Sequence, residues 1–288
     1  MKIAVTGARG MLGVAVTSAA LAEGHHVTAL DRAGAPDLAA SVSSVTDDAL
    51  QRVEVDLTDY PAVRGAVQGC DAVIHLAAII SPLMAPEPAV HHNNVIASYN
   101  ALLAAAANGI RKVCLASSVN AVGGAYSERP HYDWFPVTED HPSYSQDPYS
   151  LSKWIGEVQA ADFARRDPNA TIVSLRLHAL VRDRAHLVEW KNSLPPTAPK
   201  DLWGYTALAD AATACLAAVH ADFVGSEVIY VVAPTTTAPR PTAELLREHY
   251  PDVPLRRDLN GENGFGGFFD CSKAGRLLGL TPQGLDDE

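Results

Sequence analysis

Thr6-Gly7-Ala8-Arg9-Gly10-Met11-Leu12-Gly13 follows the short apolar run Lys2-Ile3-Ala4-Val5 and precedes an alanine-rich helical pattern. Gly7 permits a tight turn, Gly10 allows a phosphate to approach the backbone, and Gly13 lets the helix pack closely on the strand. The free N–H groups and partial positive charge of a helix N-terminus favour anions. The stretch therefore predicts a strand, a loop and a helix that hold the pyrophosphate of a dinucleotide. The candidate contacts in the loop are Gly7, Arg9, Gly10, Met11, Leu12 and Gly13.

Apolar runs alternate with alanine-rich helical stretches over the first two thirds of the chain. The predicted strands are near Lys2–Thr6, Val27–Leu30, Arg52–Val55, Ala72–His75, Lys112–Ala116 and Thr171–Leu175. The predicted helices are near Met11–Glu23, Pro61–Val67, Pro88–Asn108 and Pro148–Arg165. Strict alternation of strand and helix predicts an α/β fold: a doubly wound parallel sheet covered by helices on both faces.

Other segments do not follow this alternation. Residues 35–50 are polar and small, which predicts a loop, and Gly123–Asp147 is rich in Pro, Tyr, Ser and acidic residues, which predicts a long surface excursion beside the site. Beyond about residue 177 the pattern weakens. Helices near Leu208–His220 and Thr242–Tyr250, a strand near Glu227–Val232 and a Gly/Phe-rich loop at Gly261–Phe269 are expected there. We predict a dinucleotide-binding domain of residues 1–176 and a small C-terminal substrate lobe of residues 177–288, with some elements returning to the first domain.

Composition and charge disfavour several classes of protein. The 288 residues carry a formal net charge of −11 without a basic run of five or more, which disfavours nucleic acid as a partner. The four cysteines are scattered without a Cys-x-x-Cys pair, so neither a metal site nor a disulfide framework is expected. No leader pattern precedes the glycine loop, and no apolar stretch approaches the ~20 residues of a membrane span. A cytoplasmic protein without membrane contacts is expected.

Residues at the ends of the next three strands are candidates for holding the rest of a dinucleotide. Asp31 can accept hydrogen bonds from both hydroxyls of the adenosine ribose and would repel a 2′-phosphate, which favours NAD over NADP. Arg32 weakens that preference, because a guanidinium can pair with a phosphate. Asp56 can accept from the adenine amino group while the Leu57 amide donates to the ring. The small residues of Leu76-Ala77-Ala78 permit close approach of the ribose and pyrophosphate.

A tyrosine and a lysine stand one helical turn apart in Tyr149-Ser150-Leu151-Ser152-Lys153. The unperturbed pKa of tyrosine is about 10, and the positive charge of Lys153 is expected to lower it. A helix start at Pro148 places Tyr149 in the first turn, where the helix dipole adds to the effect. Lys153 can also bind the nicotinamide ribose, and Asn94 can anchor Lys153 through water. Ser118 can hold the substrate oxygen against Tyr149, so the set can exchange a proton with an alcohol as hydride leaves its carbon.

Together these motifs resemble those of the extended short-chain dehydrogenases/reductases, in the NAD-dependent epimerase/dehydratase group. The matching positions are Thr6-Gly7-x-x-Gly10-x-x-Gly13, Asp31, Asp56-Leu57, His75-Leu76-Ala77-Ala78, Asn94, Ser117-Ser118, Tyr149-x-x-x-Lys153, Leu175-Arg176, Leu208-Ala209-Asp210-Ala211-Ala212, Asp270-Cys271-Ser272-Lys273-Ala274, Leu278-Gly279 and Pro282. The resemblance spans nearly the whole chain. It implies a Rossmann fold that binds NAD and a homodimer packed through the helices near Pro88–Asn108 and Pro148–Arg165. Asn94, Ser117 and His178 are further candidate cofactor contacts.

Departures from the family pattern narrow the expected chemistry. Val119-Asn120 follows Ser118, where the family's 4,6-dehydratases carry Asp-Glu and its epimerase-reductases carry Cys. Leu177-His178-Ala179-Leu180 follows Arg176, where sugar-nucleotide epimerases place an Asn for a diphosphate. The chain most resembles compact members such as uronate dehydrogenases, which carry Asn-His after the serine pair and a later Arg for the carboxylate. Because both features are missing, uronate itself is doubtful.

Five residues are candidates for the substrate side. They are Ser81, Ser118, Asn120, Tyr149 and Trp203. Trp203 and Tyr205 are expected either to form an apolar or sugar-stacking wall or to lie in the core.

The leading hypothesis is an NAD-dependent oxidoreductase that acts on a hydroxyl or carbonyl of a small sugar, polyol or related metabolite. The catalytic residues would be Ser118, Tyr149 and Lys153. One alternative is a sugar or nucleotide-sugar epimerase that retains its NAD. The other is a nucleotide-sensing protein without catalysis, which the presence of both Tyr149 and Lys153 disfavours.

Overall fold

The computed structural model describes residues 1–34, 47–261 and 263–285. Its centre is a seven-stranded sheet in which every neighbouring pair is parallel, in the order β3-β2-β1-β4-β5-β6-β9. A second, two-stranded parallel sheet pairs β7 with β8. The strands are β1 (Lys2–Thr6), β2 (His26–Asp31), β3 (Leu50–Glu54), β4 (Ala72–His75), β5 (Lys112–Ser118), β6 (Thr171–Leu177), β7 (Leu180–Val181), β8 (Thr206–Ala207) and β9 (Gly225–Val231).

Eight α-helices occur in the described residues. They are α1 (Met11–Ala22), α2 (Tyr60–Ala66), α3 (Glu87–Ala107), α4 (Pro148–Arg166), α5 (Arg184–Asn192), α6 (Leu208–His220), α7 (Thr242–His249) and α8 (Ser272–Leu278). One face of the large sheet packs against α1 and α6, and the other against α2, α3 and α4. The predicted doubly wound parallel sheet is therefore confirmed, and the predicted element boundaries agree within two residues.

The apolar residues of the central strands explain why this sheet forms. All seven residues of β6 are buried, as are all four of β4, because helices cover both faces. A parallel sheet of this kind needs near-continuous apolar strands, which is what the sequence supplies. Since the strands run in one direction, their carboxyl ends meet at one edge, where Ser118 lies beside Leu177. Ligands of open α/β sheets bind outside this edge.

The later residues partly return to the large sheet. The strand β9 is the seventh strand, and α6 packs against α1. The helix α8 packs on the same side through Ala274. A separate apolar core, called the core of the lobe below, includes Phe135, Trp203 and Phe268. The division into residues 1–176 and 177–288 stays a prediction.

The two-stranded sheet and the helices α5 and α8 were not predicted as elements, because they are short or weakly periodic.

The prediction that Gly123–Asp147 is a surface excursion is wrong in its middle part. Tyr132, Phe135 and Val137 are at most 5% exposed and belong to the core of the lobe. Backbone hydrogen bonds attach this segment to later residues, from the Phe135 amide to the Pro254 carbonyl and from the Val137 amide to the Phe268 carbonyl. The predicted loop at residues 35–50 lies mostly outside the described residues. None of the helices in the described ranges has the length and apolar character needed to cross a membrane.

Candidate active site

The glycine loop has the geometry that the sequence predicted. Gly7 has a φ of +67°, and a Cβ there would lie 2.8 Å from the Ala77 amide nitrogen. A Cβ on Gly13 would lie 2.1 Å from the Gly7 carbonyl oxygen, so only glycine allows α1 to pack on the loop. Gly10 is more open, because a Cβ there would meet only the Gly7 carbonyl oxygen, at 3.3 Å. The helix α1 begins at Met11 without a capping side chain. An open loop beneath an uncapped helix start fits a pyrophosphate.

Asp31 ends β2 and its carboxylate is held in place by backbone amides. Its Oδ2 accepts from the Arg9 amide at 2.8 Å, and its Oδ1 accepts from the Arg32 amide at 2.8 Å. The Arg9 guanidinium donates to the Glu54 carboxylate at 3.1 Å and to the Arg32 carbonyl at 3.3 Å. Glu54 thereby pairs with the guanidinium of the residue whose amide binds Asp31. This charge arrangement disfavours a 2′-phosphate and supports the preference for NAD.

The candidate adenine contacts lie after β3. Asp56 is exposed, and its Oδ1 accepts from the Thr58 amide and hydroxyl at 2.9 and 2.8 Å. The backbone hydrogen bond from Thr58, followed by the side-chain one, lowers the pKa of Asp56 and keeps it an acceptor. Leu57 is buried, and its carbonyl accepts from the Asn100 side chain at 2.9 Å. Asn100 supports this turn from α3, a role that no local sequence signal indicated.

The end of β4 is fixed by Thr6 of the neighbouring strand. The Thr6 hydroxyl oxygen accepts from the Leu76 and Ala77 amides at 3.1 and 3.3 Å and bonds the His75 ring at 2.9 Å. Burial, followed by the charge of Lys153, lowers the pKa of His75 to about 3, so the ring is neutral. Ala77 and Ala78 line a small cavity of about 20 Å³ beneath α4.

Tyr149 lies in the first turn of α4, as predicted. The Asp147 side chain caps the helix by accepting from the Tyr149 and Ser150 amides, both at 2.9 Å. The Tyr149 side chain is buried, packs edge-on against Tyr126 with ring centroids 5.8 Å apart, and lies near enough to the Ser118 hydroxyl for that group to affect its pKa. The structure therefore brings these two hydroxyls near each other at the carboxyl edge of the sheet.

The predicted lowering of the Tyr149 pKa is wrong for the protein alone. Burial raises the pKa of Tyr149 to about 12, although the nearby Ser118 hydroxyl opposes the rise. The Lys153 ammonium lies 5.7 Å from the centre of the Tyr149 ring and donates to the Ala116 carbonyl at 2.6 Å. Burial also lowers the pKa of Lys153 to about 8, against the opposing charge of Glu157. Burial thus disfavours the charged form of Lys153, and Glu157 favours it.

Asn94 links α4 to the loop after β4. Its Oδ1 accepts from the Ile79 amide at 2.8 Å, and its Nδ2 donates to the Ile79 carbonyl at 3.0 Å and the Ser152 hydroxyl at 3.1 Å. The Ser152 hydroxyl donates to the Tyr149 carbonyl at 2.7 Å. Asn94 and Lys153 line the same small cavity, which has room for about one water molecule. The water link between them stays a prediction that this geometry accommodates.

Ser117 belongs to a buried polar network below the site. Its hydroxyl donates to Glu157 at 2.5 Å. The Ser117 side chain therefore faces Glu157 and not a cofactor, contrary to the prediction. Arg176 binds the same carboxylate with two donors, at 2.9 and 2.8 Å. Glu157 follows Lys153 by one helical turn on α4. This spacing is visible in the sequence and would have indicated that the two residues share a face of the helix.

The structure contradicts two further site predictions. The Nε2 of His178 bonds the Asp201 carbonyl at 2.9 Å and its Nδ1 accepts from the Ala179 amide at 2.7 Å, so the ring has no nitrogen for the expected cofactor contact. Burial lowers the pKa of His178 to about 4, so the ring is neutral. Trp203 is 5% exposed and packs against Phe268, with centroids 5.8 Å apart. Trp203 therefore lies in the core of the lobe and is not a wall of the site.

The predicted substrate residues Ser81 and Asn120 are half-buried. Ser81 follows β4, and its hydroxyl accepts from the Leu83 amide at 3.2 Å. The Asn120 Oδ1 accepts from the Ala125 amide at 3.0 Å, next to the Ser118 hydroxyl that accepts from the Asn120 amide at 3.1 Å. Asn120 is thus held beside Ser118.

The turn that follows Lys200 adjoins the segment that follows Asn120. A Cβ on Gly124 would lie 3.1 Å from the Asn120 Oδ1 and 3.2 Å from the Lys200 carbonyl oxygen, so the two segments adjoin. Two consecutive residues after Asp201, Leu202 and Trp203, have positive φ values of 61° and 49°. Such strain persists only where the surroundings over-determine it, commonly at functional sites. Burial raises the pKa of Asp201 to about 7, against backbone hydrogen bonds.

No group of three or more His, Cys, Asp or Glu side chains suited to a metal ion occurs in residues 1–34, 47–261 and 263–285.

Comparison with known sequences gives a family and several relatives. Residues 3–187 match the model of the "NAD dependent epimerase/dehydratase family". A 2-alkyl-3-oxoalkanoate reductase of Stenotrophomonas maltophilia is 33% identical over 178 residues, which are 61% of this chain and 50% of that protein. A uronate dehydrogenase of Agrobacterium fabrum is 33% identical over 109 residues, 36% of this chain and 37% of that protein. The matched part thus spans half or less of these relatives' own length.

Solved structures share the whole fold. A UDP-glucose 4-epimerase from Bifidobacterium longum, in complex with NAD⁺ and UDP, superposes with a TM-score of 0.71 at 18% identity, covering 98% of this chain and 94% of that one. The uronate dehydrogenase from Agrobacterium tumefaciens gives 0.65 at 20% identity, covering 99% and 85%. These superpositions establish the Rossmann-type fold. The family model covers well over half of the chain. The chain belongs to the NAD-dependent epimerase/dehydratase family, as its motifs predicted.

Proposed function

We propose that the protein is an NAD-dependent oxidoreductase that acts on a hydroxyl or carbonyl group of a small sugar, polyol or related metabolite. The observation that carries this proposal is the placement of the Tyr149 hydroxyl near the Ser118 hydroxyl, with Lys153 on the next turn of the same helix. These groups lie at the carboxyl edge of the sheet. The glycine loop follows β1 at the same edge.

The residues of this structure fit NAD. The open position at Gly10 and the uncapped start of α1 suit the pyrophosphate, and Asp31 suits the adenosine ribose. Lys153 would hold the nicotinamide ribose. When bound, NAD supplies the hydride acceptor or donor.

The chain's own residues handle the proton. Ser118 orients the substrate oxygen, and Tyr149 takes the proton of an alcohol or returns it to a carbonyl oxygen. Because burial raises the pKa of Tyr149 to about 12, its phenolate needs a nearby positive charge. Lys153 lies 5.7 Å from the centre of the Tyr149 ring, and the positively charged nicotinamide ring of the oxidised cofactor would add to its charge.

The surroundings of the site favour a neutral, hydroxyl-bearing substrate. Asn120 offers an amide beside Ser118, and a substrate hydroxyl group can satisfy an amide. Uronates are disfavoured because the Asn-His pair and the later Arg of uronate dehydrogenases are missing from this sequence.

A panel of free sugars, polyols and hydroxy acids, with NADH formation followed at 340 nm, tests the proposal. Neutral polyhydroxy compounds are expected to be oxidised faster than their carboxylate counterparts. Turnover of nucleotide sugars in the absence of any alcohol oxidation would refute it.

A sugar epimerase that retains its NAD is the second candidate, supported by the whole-chain similarity to UDP-glucose 4-epimerase structures. Cofactor that survives gel filtration, with sugar interconversion and no net NADH release, would favour it over the dehydrogenase.

Asp31→Asn is expected to weaken NADH binding about tenfold, because a hydrogen bond from ribose to a charged acceptor is stronger than one to an amide. The same change should improve NADPH binding relative to NADH, since the negative charge that repels a 2′-phosphate is gone. Fluorescence titration of both cofactors measures it. Asp252→Asn, which removes an exposed carboxylate of the lobe, is the matched control. An unchanged NADH to NADPH ratio would mean that Asp31 does not read the ribose.

We further propose a cytoplasmic homodimer that packs through α3 and α4. Trp154 and Val158 lie one turn apart on α4 and are 41% and 49% exposed. Trp154→Glu is expected to convert the dimer into a monomer, because it places a charge in an apolar contact. Light scattering after size exclusion measures the mass. A monomeric wild-type protein would contradict the proposal.

A further inference from the structure

Glu157 is a buried carboxylate whose oxygens are all engaged. Its side chain is 6% exposed, and it lies one turn after Lys153 on α4. Its Oε1 accepts from the Ser117 hydroxyl at 2.5 Å and from the Arg176 Nε at 2.9 Å, and its Oε2 accepts from the Arg176 Nη2 at 2.8 Å. Two parallel bonds from a guanidinium hold a carboxylate in its charged form and in one orientation.

Arg176 is itself fixed from the small lobe. Its Nη1 donates to the Tyr230 hydroxyl at 3.0 Å and to the Glu139 carbonyl at 3.3 Å, and the Glu139 side chain accepts from the Tyr230 amide at 3.0 Å. Although burial alone lowers the pKa of Arg176, Tyr230 and Glu157 raise it above its usual value. The guanidinium thus stays charged and joins β6, β9 and the segment around residue 139 to the catalytic helix.

Lys153 faces few charges besides Glu157. Its ammonium donates to the Ala116 carbonyl and shares the small cavity with Glu157 and His75. The His75 ring on β4 is neutral, since burial lowers its pKa to about 3. Tyr149 presents the face of its ring at 5.7 Å. Burial lowers the pKa of Lys153 to about 8, and the Glu157 charge opposes that shift.

We propose that Glu157 is a positioning residue that keeps Lys153 protonated in its buried place, so that the ammonium can hold the nicotinamide ribose. The inference rests on the proposed NAD-dependent function. Its geometric basis is the placement of a fixed, charged carboxylate one helical turn below the lysine, on the inner side of the same cavity. Without that carboxylate, burial would leave the lysine neutral near physiological pH.

The test measures NADH affinity by fluorescence titration from about pH 6 to about pH 9.5. The wild-type affinity is expected to be flat at low pH and to fall as Lys153 loses its proton, near pH 8. In Glu157→Gln the fall should begin about one pH unit lower or more, because the lysine then lacks its counter-charge. At about pH 6 the two proteins should agree within about threefold, since both lysines are then protonated.

Two variants make this result specific. Glu139→Gln removes a carboxylate from the same network that does not face Lys153, and it should leave the pH dependence unchanged. Glu157→Gln combined with Arg176→Met removes the carboxylate without leaving a buried, unpaired guanidinium, and serves if the single variant does not fold. Its pH dependence should match that expected of Glu157→Gln.

Each outcome has a distinct meaning. An identical pH dependence in wild type and in either Glu157 variant would overturn the role of Glu157, whatever the affinity. Equal shifts in Glu139→Gln and Glu157→Gln would also overturn it, because they would indicate a general loss of packing. Failure of the wild-type protein to bind NADH at any pH would instead contradict the proposed function.

Discussion

Tyr149→Phe should lower the rate of alcohol oxidation about 10²–10⁴-fold, the usual contribution of a positioned acid or base. The change removes one oxygen and keeps the ring that packs against Tyr126. That oxygen is the group that lies near the Ser118 hydroxyl, so no other atom of the variant can exchange the proton at the same place. NAD binding should stay within about twofold, because the ring and Lys153 are unchanged.

Initial rates with the best substrate of the panel, together with a cofactor titration, measure the two effects separately. Tyr144→Phe is the matched control, because it removes a hydroxyl that bonds Asp133 in the lobe. Its rate should stay close to that of the wild type. If Tyr149→Phe kept the wild-type rate, Tyr149 would not be the acid/base group, and a non-catalytic nucleotide-binding role would become the better explanation.

Local patterns were enough to predict most of the fold. The glycine loop and the strands are formed by residues that are neighbours in sequence. The strands β1 and β6 are buried almost along their whole length, which matches their apolar runs. The same holds for Tyr149 and Lys153, whose spacing on a helix fixes which face they share. Asp31 was also predictable, because its position is set by the end of a strand.

Long-range packing decided where prediction failed. Trp203 is in the core because Phe268 meets it from 65 positions further along the chain, and the His178 ring is satisfied by the Asp201 carbonyl. The pKa of Tyr149 is raised and not lowered, because burial of the hydroxyl dominates. The charge one turn away is visible in the sequence, whereas that burial is not. The turn after Lys200 gave no signal, since the approach of the Lys200 carbonyl to Gly124 joins distant parts of the chain.

Arg176→Met should destabilise the fold by about 3–5 kcal/mol, the usual cost of leaving one partner of a buried ion pair alone. Arg176 and Glu157 are 4% and 6% exposed, so water does not solvate the carboxylate that remains. The loss should be larger at high pH than at low pH, because protonation relieves an unpaired buried carboxylate. Chemical denaturation at two pH values measures both the loss and its direction.

Adding Glu157→Gln to Arg176→Met should restore a large part of that stability, because a neutral amide replaces the unpaired charge. Similar replacements of buried ion pairs by neutral residues are often nearly neutral in stability. The restored protein should nevertheless bind NADH with the lower-pH profile expected of a lysine without its counter-charge. Recovery of folding together with a wild-type pH profile would show that the pair acts only in packing. Recovery of folding without recovery of the pH profile would separate the two roles of Glu157: its bond with Arg176 stabilises the fold, and its charge keeps Lys153 protonated.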